Sequence, residues 1–196
     1  MKRIAVFCAS SIGFEPVFEE HAYLLGQTLA HKGIELVYGG AKVGLMGAVA
    51  NGVIANQGKA IGVLPRFLKE KELQHESLTE LILVDTMHER KAKMTELSDG
   101  IIALPGSFGT LEELFEALTW SQLGLHQNPV GILNVNGFFD ELLSFIQKIV
   151  DKGFLKPAYK EALLIDTDIN SLLEKMENYH PLSIQKWSVK HQLEQT

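Results

Sequence analysis

Short apolar runs recur along the chain at Ile4–Cys8, Glu35–Tyr38, Ala60–Leu64, Leu81–Val84, Gly100–Leu104, Val130–Val135 and Leu163–Ile165. Between them lie longer stretches whose apolar positions repeat with helical spacing: about Glu15–His31, Leu45–Ala55, Met87–Leu97, Thr110–Leu123, Phe138–Lys152 and Ile169–Met176. Runs apolar at nearly every position predict strands buried on both faces, and their alternation with helices predicts a parallel sheet. Right-handed crossovers then favour a doubly wound, Rossmann-like α/β sheet in a single domain over residues 1–180. From about Pro181 to Thr196 the chain turns polar and carries no further strand pattern, which predicts a tail or frayed helix. Ligands of such sheets bind beyond the carboxyl ends of the strands. The two glycine-rich loops follow the second and fifth runs, so both are expected at that edge.

The fifth-run loop reads Leu104-Pro105-Gly106-Ser107-Phe108-Gly109-Thr110-Leu111-Glu112-Glu113. Glycines between a strand and a helix let backbone N–H groups converge on an anion, and the helix dipole adds positive potential. Two carboxylates in what reads as the first helical turn would repel that anion, which suggests a phosphate grip beside a reacting acid. The competing reading is a capping box, Thr110-x-x-Glu113, with no ligand at all.

The second-run loop, Tyr38-Gly39-Gly40-Ala41-Lys42-Val43-Gly44-Leu45-Met46-Gly47, has the glycine spacing of a P-loop opening but lacks its Lys-Ser/Thr. It reads either as tight packing or as backbone that a nucleotide can approach. Ser10-Ser11 reads first as a helix cap. In Met87-His88-Glu89-Arg90-Lys91 the two cations diverge by about 100° on a helix, so they cannot serve one target equally. One could grip phosphate; the bland reading is a solvated basic pair with Glu89 and Glu96 among its partners. His88 reads as structural.

Composition narrows these options. The net charge of −6 argues against a nucleic-acid or anionic-membrane partner. The single cysteine, Cys8, excludes an internal disulfide or a multi-cysteine zinc site and suits a reducing compartment. No His/Asp/Glu spacing points to a metal. The first apolar run is too short for a secretory h-region and no window suits a membrane span, so a cytoplasmic location is expected.

Taken together, Phe7-Cys8-Ala9-Ser10-Ser11, Tyr38-Gly39-Gly40, Gly44-Leu45-Met46-Gly47, Met87 through Lys91, Pro105 through Glu113 and Thr119 through Gly124 resemble the LONELY GUY family of cytokinin-activating phosphoribohydrolases, whose bacterial members often carry the label "lysine decarboxylase-like". The resemblance implies hydrolysis of (N6-substituted) adenosine 5′-monophosphates to free base and ribose 5-phosphate without a cofactor. It places Arg90 and Glu113 as the catalytic pair, and Glu72, Lys91, Gly106, Ser107, Phe108, Gly109, Thr110 and Thr119 at the substrate. It also implies a homodimer or higher homo-oligomer, with Glu72 reaching a neighbouring subunit's site. Two positions depart from the family pattern: Ser107 and Ala9 stand where glycine is usual. If position 107 requires positive φ, serine carries a backbone cost there. A non-catalytic nucleotide sensor would use the same loops without needing Glu113. A pyridoxal-phosphate decarboxylase would need a Schiff-base lysine that no motif identifies.

Overall fold

The computed structural model describes residues 1–69 and 74–182. Its strands are β1 Arg3–Phe7, β2 Glu35–Tyr38, β3 Ala60–Pro65, β4 Glu80–Val84, β5 Gly100–Ala103, β6 Val130–Leu133 and β7 Leu163–Asp166. Its α-helices are α1 Pro16–His31, α2 Gly44–Ala55, α3 Met87–Glu96, α4 Phe108–Leu123, α5 Asp140–Asp151, α6 Pro157–Glu161 and α7 Ile169–Glu177, with 3-10 turns at Arg66–Leu68 and Val135–Gly137. Each expected strand and helix is present within a few residues. The short α6, which opens on Pro157, has too few turns to show a periodic pattern in the sequence. The polar segment expected from Pro181 lies outside the described residues beyond Leu182.

All strand pairs are parallel, in the order β4-β3-β2-β1-β5-β6-β7. Strand alternation sorts the core into two layers. Ile4, Val6, Leu36, Tyr38, Ile102 and Leu104 join the side chains of α1, α2 and α7. Ala5, Phe7, Val37, Ile101 and Ala103 face Met94, Leu114, Ala117 and Ile146 from α3, α4 and α5. The chain winds outward from β1 to β4, then returns to place β5 on the other side of β1. That reversal opens a crevice at the carboxyl ends of β1 and β5, the usual ligand position in doubly wound sheets. Among the described residues no helix is long and apolar enough to cross a membrane.

Candidate active site

The crevice is a cleft of about 150 Å³. Val6 through Ser10 contribute from the end of β1, Gly39 from the end of β2 and Met46 from α2. Met87, Arg90 and Met94 contribute from α3, and Ser107, Gly109, Thr110 and Glu113 from the start of α4. The backbone ties these pieces together. Ala9 donates to the Pro105 carbonyl at 3.2 Å, and Met46 donates to the Ala9 carbonyl at 3.3 Å. Both glycine-rich loops therefore meet beside β1.

Helix α4 begins earlier than the capping-box reading requires. Ser107 is its N-cap residue, and the first helical bond runs from the Leu111 N–H to the Ser107 carbonyl. Thr110 is thus inside the first turn, and Glu112 and Glu113 fall in the second. Glu113 caps nothing, which removes the bland reading of that motif. Ser107 has φ −101 and ψ −156, ordinary extended backbone, so serine replaces the usual glycine without strain. Its side chain makes no capping bond. The first-turn N–H groups of α4 have no intrahelical acceptor and open at the cleft with the positive end of the helix dipole. Thr110 is buried against Gly106, where a Cβ would come within 2.0 Å of the threonine hydroxyl; this contact shapes the loop.

Arg90 and Lys91 are not a solvated pair: they are 6% and 5% exposed. Their α3 faces send them to different places. The Arg90 Nη2 donates to the Gly39 carbonyl at 3.2 Å, and its Nε has no partner among the described residues. Among those residues no carboxylate lies within 4.0 Å of its guanidinium. A buried cation with an unused donor is costly unless an anion completes it. Gly39 makes its position available: a Cβ there would stand 2.1 Å from Nη2 and 2.8 Å from the Met46 sulfur. Gly39→Ala is expected to leave the fold intact, because a flexible side-chain end can yield. It should displace the guanidinium and lower kcat/KM by about tenfold or more, since small misplacements of this kind are expensive. Steady-state kinetics beside a thermal melt checks it.

Glu113 is half-buried across the cleft. Burial pushes its carboxyl up to about 7, with Arg90 and Lys91 pulling down and Glu112 and Glu116 pushing up. Burial and Glu113 together keep Cys8 a thiol well above the ordinary range. If ionised Glu113 is the working form, kcat/KM should fall on the acid side with a midpoint near pH 7, readable from a pH–rate profile.

Several residues singled out in the sequence do not line the cleft. Lys91 turns to Glu112 and Glu116 on α4. Thr119 donates to the Phe115 carbonyl at 2.7 Å and lines a separate groove with Phe115, Leu118 and Gln122. Phe108 is 90% exposed and His88 is exposed. Glu72 lies outside the described residues. Ser10 lines the cleft, and the Ser11 hydroxyl accepts from the Gly13 N–H at 3.2 Å; neither caps α1, whose N-cap residue is Glu15. Glu89 accepts from the Asp85 N–H and Glu96 pairs with Lys93, so neither partners Arg90 or Lys91. A sulfur wall of Met46, Met87 and Met94, which the loop motifs do not point to, also lines the cleft. The spacing of 87, 90 and 94 puts both α3 methionines on the Arg90 face, a signal that was available. Among the described residues no three His, Cys, Asp or Glu side chains cluster as metal ligands.

Residues 46–176 match the family model described as "Possible lysine decarboxylase". A cytokinin riboside 5′-monophosphate phosphoribohydrolase of Arabidopsis thaliana is 46% identical over 180 residues, covering 92% of this chain and 83% of its own. A second from the same plant is 43% identical over 199 residues, covering 99% and 87%. The molybdenum cofactor binding protein of Rippkaea orientalis superposes with a TM-score of 0.68 over 90% of this chain and 96% of its own; at 24% identity it supports the fold alone. With residues from five of its motifs lining one cleft and relatives of this identity along nearly its whole length, the chain belongs to the LONELY GUY family, in which the Possible lysine decarboxylase model and the plant phosphoribohydrolases meet.

Proposed function

We propose that the protein hydrolyses the N-glycosidic bond of adenosine 5′-monophosphates, including N6-substituted ones, to free base and ribose 5-phosphate. One observation carries this reading: a buried arginine with an unused donor shares a cleft with a half-buried carboxylate at the mouth of a helix N-terminus. Breaking the C1′–N9 bond leaves cationic character on the ribose, as in other glycoside cleavages. Ionised Glu113 stabilises that charge and orients water, whose hydroxyl adds to C1′ while its proton ends on the departing base. The α4 N-terminus, with Gly106, Ser107, Phe108, Gly109 and Thr110, holds the 5′-phosphate, and Arg90 closes the clamp on phosphate or ribose. The methionine wall is soft and adaptable, which suits a purine face.

No lysine is among the described residues lining the cleft, so no amine is placed there for a Schiff base. Thr119 and Glu72 belong to the same reading only if a second copy completes the site, and we assign the working form as a homodimer or larger. The lone buried thiol suits the reducing cytoplasm. The test is incubation with AMP and N6-isopentenyl-AMP, separating products by chromatography. Free base and ribose 5-phosphate in equal amounts are expected; an unchanged nucleotide pool rejects the reading.

A further inference from the structure

Lys91 follows Arg90 in sequence and is buried as deeply, yet its ammonium points away from the cleft. It meets Glu112 and lies 3.0 Å from the Glu116 carboxylate. The lysine side chain is 6% exposed, while those of Glu112 and Glu116 are 57% and 23% exposed. The cation is therefore the buried member and the two acids come to it from the next helix. Arg90 and Lys91 are neighbours on α3; Glu112 and Glu113 are neighbours on α4. The Lys91–Glu112 pair thus joins the two helices one residue away from each group facing the cleft, and Glu116 adds a second tie one turn further along α4.

We propose that Lys91 is a positioning residue, clamping α3 to α4 through Glu112 and Glu116 so that Arg90 is held opposite Glu113. It departs from the role the family resemblance implies, a direct substrate contact, and it rests on the hydrolase reading above. Charge follows the same geometry. The groups acting on Glu113 are Arg90 and Lys91 from α3 and Glu112 and Glu116 from its own helix, with the Cys8 thiol facing it from the end of β1. Removing Lys91 leaves two acids uncompensated beside Glu113 and should raise the midpoint of the acid limb; removing the acids should lower it.

A double-mutant cycle on AMP turnover separates a clamp from a contact. Lys91→Met is expected to lower kcat by about tenfold with KM changed less than about twofold, because misplacement penalises the reacting geometry. Its acid limb should move to higher pH. Lys91→Arg, which can span both carboxylates, should recover most of the rate. In a Glu112→Gln/Glu116→Gln background the lysine is left buried and unpaired, so adding Lys91→Met should cost nothing further. A loss of equal size in both backgrounds, or a loss confined to KM, overturns the clamp in favour of substrate contact. If the doubly substituted chain does not fold, Glu116→Gln alone serves as the background; there Lys91 keeps Glu112, and adding Lys91→Met should cost less than it does in the wild type. A wild-type chain without turnover on AMP counts against the hydrolase reading instead. The clamp is then read from the same cycle in thermal unfolding, where additive effects overturn it.

Discussion

Glu113→Gln is expected to lower kcat by about 10²–10³, the scale of a lost electrostatic catalyst, while nucleotide binding survives. The substitution keeps the shape of the side chain and removes the charge that would face a cationic ribose. Because α4 starts at Phe108 and Glu113 makes no cap, the variant loses no helix-end bond. Stability should move in the opposite direction to activity. Glu113 has a folded-state pKa of about 7, raised from 4.5, so the folded protein binds the proton more tightly than the unfolded chain. Its contribution is fully present below about pH 4.5 and is lost as pH rises through about 7. Glutamine removes that loss. The variant should therefore melt no lower than wild type at pH 8, with its relative advantage growing between those pH values. Calorimetry across pH, beside single-turnover rates, reads both arms. Near-normal turnover in the folded variant would reject catalysis at Glu113 and favour a nucleotide-binding module.

Removing the 5′-phosphate from the substrate is the second large effect. AMP should exceed adenosine in kcat/KM by roughly 10²–10⁴, taking at least two charge-assisted bonds at about 1.5–3 kcal/mol each. The donors are the first-turn N–H groups of α4 and the Arg90 guanidinium, whose Nε has no protein partner among the described residues. Binding energy from this non-reacting end can be used to orient the glycosidic bond, so the loss should appear in kcat as well as KM. Comparable turnover of the two compounds would remove the phosphate from this loop and with it the proposed orientation of the substrate.

Much of this arrangement is written in local pattern. Strands covered on both faces must be apolar at nearly every position, so β1, β2, β3, β5 and β6 are legible as runs. Glycine-rich turns after β2 and β5 then place the candidate chemistry at one sheet edge, and the spacing of Arg90 from Lys91 already implies two different targets. Helix starts were less legible. Serine, threonine and glutamate at Ser10, Ser11, Thr110 and Glu113 satisfy capping patterns by composition, but a cap depends on where the backbone enters the helix.

By itself the sequence determined the order of elements and the doubly wound sheet, because periodicity and loop chemistry are short-range properties; the pairing of Arg90 with Glu113 came from the family resemblance alone. Only the tertiary structure decided that Lys91 serves Glu112 and Glu116, that Gly39 seats the guanidinium, and that Ser107 needs no left-handed backbone. It alone decided that Thr119 lies on another face of the same helix. The Lys91 and Gly39 interactions are contacts between segments distant in sequence, fixed by how α3 and α4 pack on the sheet. Burial then sets the charge state of Glu113, since desolvation depends on every group around it and not on its neighbours in the chain.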